Sequence, residues 1–210
     1  MISRKRLLSG SALYVIVDRG ILNLKDCIAA AEAAIIAGAD MVQLRDKESS
    51  PKEMLKAARA IGHIAKRHKV PFIINDRLDV ALAVDADGVH IGQGDVDISL
   101  AKKLLGKDKL IGLSVSDIGQ AKKAKREGAS YVGAGPIFKT PIKGHRPAKG
   151  VRLLEDIKRL NIPFFAIGGI TGKNISRLTD KGFKRIAVIR AVCESGDRFK
   201  ATKLLKKALV

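Results

Sequence analysis

Tryptophan is absent from this chain, and aromatic residues make up only 4% of its 210 residues. A core built on large rings is thereby excluded. The 46% apolar fraction has to be packed from Ala, Val, Ile and Leu, as in closely packed α/β proteins. Cysteine is also scarce. Cys27 and Cys193 form no CxxC pair and no metal-ligand spacing, so a disulfide framework is excluded. One reads as helical and the other as lying in a loop after a strand, both as free thiols of a reducing cytoplasm. No run approaches the roughly 18 uninterrupted apolar residues of a membrane span. The start, MISRKRLLSGSALYVIVD, turns from basic to apolar like a leader peptide. Ser and Gly break its apolar run, however, and no small-residue cleavage site precedes Asp18. It reads as a flexible extension over residues 1–10 followed by a strand, in a cytoplasmic protein with no membrane partner.

Acids are few beside bases: 21 Asp and Glu against 40 Lys and Arg, a formal net charge of +19. Such a balance points to anionic partners. The excess falls mainly in AKKLLGKDK (101–109), AKKAKREG (121–128) and KLLKKALV (203–210), where it spaces like a solvated helix face. Aromatic interleaving and recognised nucleic-acid motifs are missing, so a nucleic-acid partner is not expected and a basic nucleic-acid-binding protein stands only as the alternative from a different class. The first strand ends VDRGILN, without the GxGxxG turn of a dinucleotide site.

What is present is a regular beat. ALYVIVD (12–18) is a short β-branched run without helical period, and KDCIAAAEAAIIAGA (25–39) is an Ala-rich helix stopped by Gly38. MVQLR (41–45) is the second strand. The helix at 50–69 has Ser50 as N-cap, Pro51 at its first turn, and Met54, Ala58, Ile61 and Ala65 on its inner face. The beat continues through strands at 71–75, 88–92, 110–116, 131–138, 163–169 and 185–192, with helices between them and at the end, one of them near 171–182. Strands alternating with helices of this length imply parallel βαβ units. Eight such pairs point to a closed (β/α)8 TIM barrel forming one domain over residues 1–210. An open doubly wound sheet is the alternative.

Active sites of such barrels lie at the C-terminal strand ends. In QLRDK, period-two alternation puts Gln43, Arg45 and Lys47 on one face and Leu44 on the other. Leu44 belongs under the helices, so the polar three face the mouth and read as an anion clamp. A surface ion pair with Asp46 is the plainer alternative. Strand three ends Asn75-Asp76, and strand four is followed by GQGD ending at Asp95. Two bare carboxylates on adjacent strand ends would repel each other. Mg²⁺ removes that problem, and it takes its remaining ligands from water and phosphate oxygens. Beside the basic clamp the pair therefore reads as a metal-diphosphate site, with helix N-caps as the alternative for each Asp. Gly168-Gly169, together with a strand eight running through Ile189 and Arg190, suggests a second phosphate site. Thr140 and Lys143, after strand six, add a hydroxyl and an ammonium. His90, inside strand four, reads as a buried, hydrogen-bonded residue; His63 and His68 lie on a helix, and His145 sits in the polar loop 139–150.

QLRDK, INDR with ADGVHIGQGD, YVGAGPIF followed by Thr140 and Lys143, and AIGGI stand in the order found in the thiamine-phosphate synthase family, which the chain resembles from strand one to strand eight. The resemblance implies a Mg²⁺-dependent (β/α)8 transferase with small-molecule substrates. Such an enzyme joins 4-amino-2-methyl-5-hydroxymethylpyrimidine diphosphate to 4-methyl-5-(2-hydroxyethyl)thiazole phosphate and releases diphosphate. It implies that Gln43, Arg45, Lys47, Asn75 and Ser114 bind the pyrimidine substrate, and that Asp76 and Asp95 hold the metal. Thr140 and Lys143 would bridge the anionic groups, with Gly169, Ile189 and Arg190 at the thiazole phosphate. The chain departs from the pattern at Lys139, Ile142, Ser116 and Arg190. Ile142, in the substrate loop, replaces a second Thr, and Arg190 stands where many relatives have Ser. A thiazole-tautomerase-like paralogue is the alternative on the same barrel. Self-association is left open.

Overall fold

A computed structural model describes residues 8–140 and 147–210. Eight parallel strands close into a barrel in sequence order: β1 (Leu13–Asp18), β2 (Met41–Arg45), β3 (Phe72–Asn75), β4 (Gly88–Ile91), β5 (Leu110–Val115), β6 (Tyr131–Ala134), β7 (Phe164–Ile167) and β8 (Ile186–Val188). Helices cover the outside: α1 (Leu24–Ile36), α2 (Pro51–His68), α3 (Leu78–Ala83), α4 (Ile98–Leu105), α5 (Ile118–Glu127), α6 (Arg152–Lys158), α7 (Ser176–Thr179), α8 (Arg190–Cys193) and α9 (Arg198–Lys207). The TIM barrel is thus the fold. None of the described helices is long and apolar enough to cross a membrane.

Local chemistry accounts for the elements. In α2, Ser50 accepts from the Glu53 N–H and Pro51 opens the first turn. Met54, Ala57, Ala58, Ile61 and Ala65 form the buried stripe, at the 3–4 spacing of one helix face. Lys69 ends the helix in the left-handed region, at φ 57°. Burying Met54 and Ile61 contributes about 1.5–3 kcal/mol each.

Strand alternation separates two cores. Leu13, Val15 and Val17 face the helices, whereas Tyr14 and Ile16 face the lumen with Met41, Ile73, Leu110, Tyr131, Phe165 and Ala187. Three of the scarce aromatics meet there edge-on: Tyr14, Tyr131 and Phe165 have centroids 5.3–6.0 Å apart. Leu8 is buried against this inner cluster, and its carbonyl accepts from Arg185 at 2.9 Å. Of the segment read as a flexible extension, residues 8–10 are therefore docked against the barrel and residues 1–7 lie outside the described residues.

Several elements are shorter than the apolar runs suggest. β8 stops at Val188 and does not continue to residue 192; Ile189 leaves the strand and Arg190 opens the short helix α8. Cys193, read as lying in a loop after that strand, closes α8. Both cysteines are buried free thiols, and burial pushes Cys27 up to about 12 and Cys193 up to about 11. β6 ends at Ala134, followed by a cis Gly135-Pro136 bond. The helix expected over 171–182 is confined to α7. Ahead of it, the Asn174 side chain accepts from the Thr171 N–H at 2.8 Å and donates to the Gly169 carbonyl at 2.8 Å. These side-chain bonds compete with helix for the same backbone groups.

Candidate active site

A cavity of about 850 Å³ opens over the C-terminal strand ends, as barrel geometry requires. Arg45, Lys47, Asp95, Ser114, Thr140, Gly169, Ile189 and Arg190 all line it. Eight of the sequence-derived site residues, from β2 to α8, thus share one space. Gln43 and Asn75 are buried, with 1% and 8% exposure. Gln43 points into the lumen and donates to the Tyr14 hydroxyl. Ile142 and Lys143, with His145, lie outside the described residues.

The basic clamp is charge-matched. Asp18 and Arg45 are register partners of β1 and β2, and Arg45 Nη1 lies 2.6 Å from Asp18 Oδ2. Asp18 is only 2% exposed, so its half of this ion pair is shielded from solvent while Arg45 lines the cavity. The surface pair with Asp46 is not formed by either cation: Arg45 pairs with Asp18 and Lys47 with Asp76, while Arg19 lies 3.5 Å from Asp46.

Asp76 follows β3 with φ 60°, an uncommon conformation outside glycine. Its N–H bonds the His90 carbonyl at 2.9 Å, and its carboxylate lies 3.0 Å from Lys47 Nζ. Neither acid is a helix cap, because α3 starts behind Arg77 and α4 behind Asp97. Asp95 instead accepts from the Gly92 N–H at 2.7 Å, folding the GQGD loop back. Burial pushes the Asp76 carboxyl above its usual range; the hydrogen bond from Lys47 opposes this, and the adjoining Asp95 carboxylate adds to it. Two carboxylates in mutual contact, one raised by burial, form a donor set that a divalent cation would relieve. Among the described residues no group of three or more His, Cys, Asp and Glu could hold a metal. A cation there would have to complete its shell with water and ligand oxygens, the habit of Mg²⁺.

On the opposite side the wall is largely backbone. Gly168 and Gly169 have φ 102° and 65°. A Cβ on Gly168 would lie 2.5 Å from Pro136 Cβ, and one on Gly169 2.5 Å from the Lys139 carbonyl oxygen. The pair is thus required both by conformation and by the close approach of the loop after β6. Arg190 reaches the rim from α8, where its Nε lies 2.6 Å from Glu194 Oε1.

His90 is buried, and its ring nitrogens contact Tyr131 Oη at 3.3 Å and Ser114 Oγ at 3.0 Å, as its setting inside β4 suggests. Sequence reading missed Asp18, Glu194, Gln93, Tyr14 and Tyr131. Asp18 closes an apolar strand just as the Asn75-Asp76 pair does, a signal that was there to use. Gln93, which donates to the Ser114 carbonyl at 2.7 Å, carries no such signal.

Residues 13–192 match the family model described as thiamine monophosphate synthase. A thiamine-phosphate synthase of Clostridium tetani is 42% identical over 190 residues, which cover 90% of this chain and 91% of the relative. Another, from Halalkalibacterium halodurans, is 42% identical over 187 residues, covering 88% and 89%. A solved thiamine phosphate pyrophosphorylase from Pyrococcus furiosus superposes with a TM-score of 0.85 at 35% identity, covering 98% of this chain and 96% of that one. With the family matched along nearly the whole barrel, and its motifs converging on one cavity, the chain belongs to the thiamine monophosphate synthase family of transferases.

Proposed function

We propose that the chain couples hydroxymethylpyrimidine diphosphate to hydroxyethylthiazole phosphate, forming thiamine phosphate and releasing diphosphate. The observation that carries this reading is the grouping of Arg45, Lys47, Asp95 and Ser114 with Gly169, Ile189 and Arg190 around one cavity of about 850 Å³. That volume suits two small substrates held together.

The proposed reaction is dissociative. The bond between the pyrimidine methylene carbon and the diphosphate oxygen breaks first, and its electron pair leaves with diphosphate. The positive charge on the methylene is shared with the electron-rich aminopyrimidine ring. The thiazole nitrogen then donates its lone pair to form the new C–N bond. Neither step needs a proton taken by a strong base.

The side chains supply charge and position. Arg45, held by Asp18, directs its remaining N–H groups at the diphosphate. Lys47 exchanges the Asp76 carboxylate for the departing anion. Asp76 and Asp95 would hold Mg²⁺, which supplies neutralisation of charge building on diphosphate. Asn75 and Gln43 support the pyrimidine end from below, and Ser114 contacts the ring. Thr140 and Lys143 bridge the two anions. The backbone at Gly169 and Ile189–Arg190 receives the thiazole phosphate. Preorganised charge of this kind is usually the largest contribution to such rate accelerations.

The test is the coupling assay itself. Thiamine phosphate should form only when both substrates and Mg²⁺ are present. No product under those conditions overturns the function, and equal rates in excess chelator overturn the metal assignment.

A further inference from the structure

The ends of β1 and β2 carry two ion pairs, back to back. Asp18 meets its register partner Arg45 on the lumen side. One residue further on the order of charge is reversed and the direction is outward: Arg19 Nε lies 3.5 Å from Asp46 Oδ2. Strand alternation sets that direction. Val17 and Leu44 face the helices, and residues 19 and 46 follow them at period two. Arg45 lines the cavity, whereas Arg19 and Asp46 stand behind its wall.

The outer pair is buried, with the Asp46 side chain 1% exposed and that of Arg19 12%. Among the described residues Arg19 Nε and Asp46 Oδ2 make no hydrogen bond, so each charge is answered mainly by the other. The remaining polar atoms of both side chains hold loops. Asp46 Oδ1 accepts from the Glu48 N–H at 3.3 Å and the Ser49 N–H at 3.0 Å, which bends the chain over 46–49 around the carboxylate. Arg19 donates from Nη1 to the Leu22 carbonyl at 2.9 Å and from Nη2 to Ser49 Oγ at 3.3 Å. The loop after β1 is thereby tied to the bend after β2.

That bend carries Lys47, whose side chain is half exposed and whose ammonium lies 3.0 Å from Asp76. Lysine is a hydrated point charge on a flexible stem. On a loose loop it would sample many positions and lose entropy on meeting an anion. A fixed bend sets where its stem leaves the backbone.

We infer that Arg19 and Asp46 are positioning residues, a buried ion pair that fixes the bend carrying Lys47 and so aims its ammonium at the diphosphate. The identity of that anion rests on the proposed function. Sign separates this role from simple electrostatics. Removing the Asp46 charge leaves the neighbourhood of the clamp more positive and, by charge alone, strengthens anion binding. Positioning demands the opposite.

Calorimetric titration with inorganic diphosphate and Mg²⁺ tests it. Asp46→Asn should weaken binding about fivefold, the scale of one lost hydrogen bond. Arg19→Lys keeps both charges and loses the fork that grips Leu22 and Ser49; it should weaken binding about threefold. In a Lys47→Ala background neither substitution should have a further effect, because residues that act through one side chain do not add. KM for the pyrimidine diphosphate should rise in step, with KM for the thiazole phosphate unchanged. Unchanged or tighter diphosphate binding in either single variant overturns the inference, and so does a loss that persists at full size without Lys47. Arg19→Lys leaves the buried carboxylate with a cation, so it decides the question if Asp46→Asn fails to fold. A protein that binds diphosphate with the expected coupling but joins no substrates would sink the proposed function and leave the positioning pair standing. One that binds no diphosphate loses both.

Discussion

On the β1–β4 side of the mouth each clamp cation faces a carboxylate: Arg45 with Asp18 and Lys47 with Asp76, with Asp95 adjoining. On the β6–β8 side the wall is made by Gly168, Gly169 and the turn from β8 into α8, and the Arg190–Glu194 pair sits on the rim. The first side concentrates formal charge and holds it in place with ion pairs. The second offers close backbone approach, with the charged Lys139, Arg190 and Glu194 set at its loop and rim. Under the proposed activity the contrast follows the chemistry. The diphosphate gains charge as its bond breaks, so strong, preorganised neutralisation is useful there. The thiazole phosphate keeps its charge throughout, so it needs only to be held.

The contrast breaks most visibly at the acids. Asp76→Ala or Asp95→Ala should lower Mg²⁺-dependent turnover at least about 100-fold, roughly 3 kcal/mol of lost transition-state stabilisation. Steady-state rates across a Mg²⁺ titration check it, and full retention by both variants would put the charge-neutralising centre elsewhere. Arg45→Ala should be the largest stability change at the rim. It strands Asp18, 2% exposed, as a buried lone charge, and it should cost about 3 kcal/mol by urea denaturation, the low end for a broken buried pair because Arg45 keeps 20% exposure.

Asp76 gives a smaller effect with a definite sign. Its folded-state pKa lies above the ordinary value, so holding it ionised opposes folding. Stability from this group is therefore fully present below the unfolded pKa and is lost as pH rises through the folded one. In the ligand-free protein Asp76→Asn should raise the thermal midpoint at neutral pH. That gain should shrink as pH falls through the ordinary carboxylate range, and saturating Mg²⁺ should reverse it. A gain that grows on acidification would contradict the burial argument.

The barrel was legible because eight apolar runs recur at regular spacing between amphipathic segments. The acids and the QLRDK face were legible because polar residues that close an apolar strand have one place to point. Contacts between strands were less visible. Asp18 holds Arg45 only because β1 and β2 pair in that register. Tyr14 and Tyr131 link Gln43 to His90 and Ser114 across five strands, and neither tyrosine is marked within its own segment. The end of β8 was misread for a different reason: RIAVIRAV is apolar throughout, and periodicity cannot separate a short buried strand from a strand turning into a helix. That error also misplaced Arg190, which serves the rim from the first position of α8 and not from a strand face.

Arg190 is therefore where the comparison can be sharpened most finely. Its Nε is taken by Glu194 at 2.6 Å, and both side chains are about two-fifths exposed. Replacing Arg190 with Ser removes a cation from the rim and also releases the Glu194 carboxylate beside the site proposed for the thiazole phosphate. KM for that substrate should rise about tenfold, more than one exposed cation would provide alone. KM for the pyrimidine diphosphate and the denaturation midpoint should stay where they are. Adding Glu194→Ala to Arg190→Ser should recover part of the loss, because the repulsive charge is then gone as well. If the double variant binds thiazole phosphate no better than Arg190→Ser, the acid contributes nothing there, and the whole loss is that of the Arg190 cation. If instead the pyrimidine KM moves, Arg190 serves the charged side of the mouth and the division between the two sides fails.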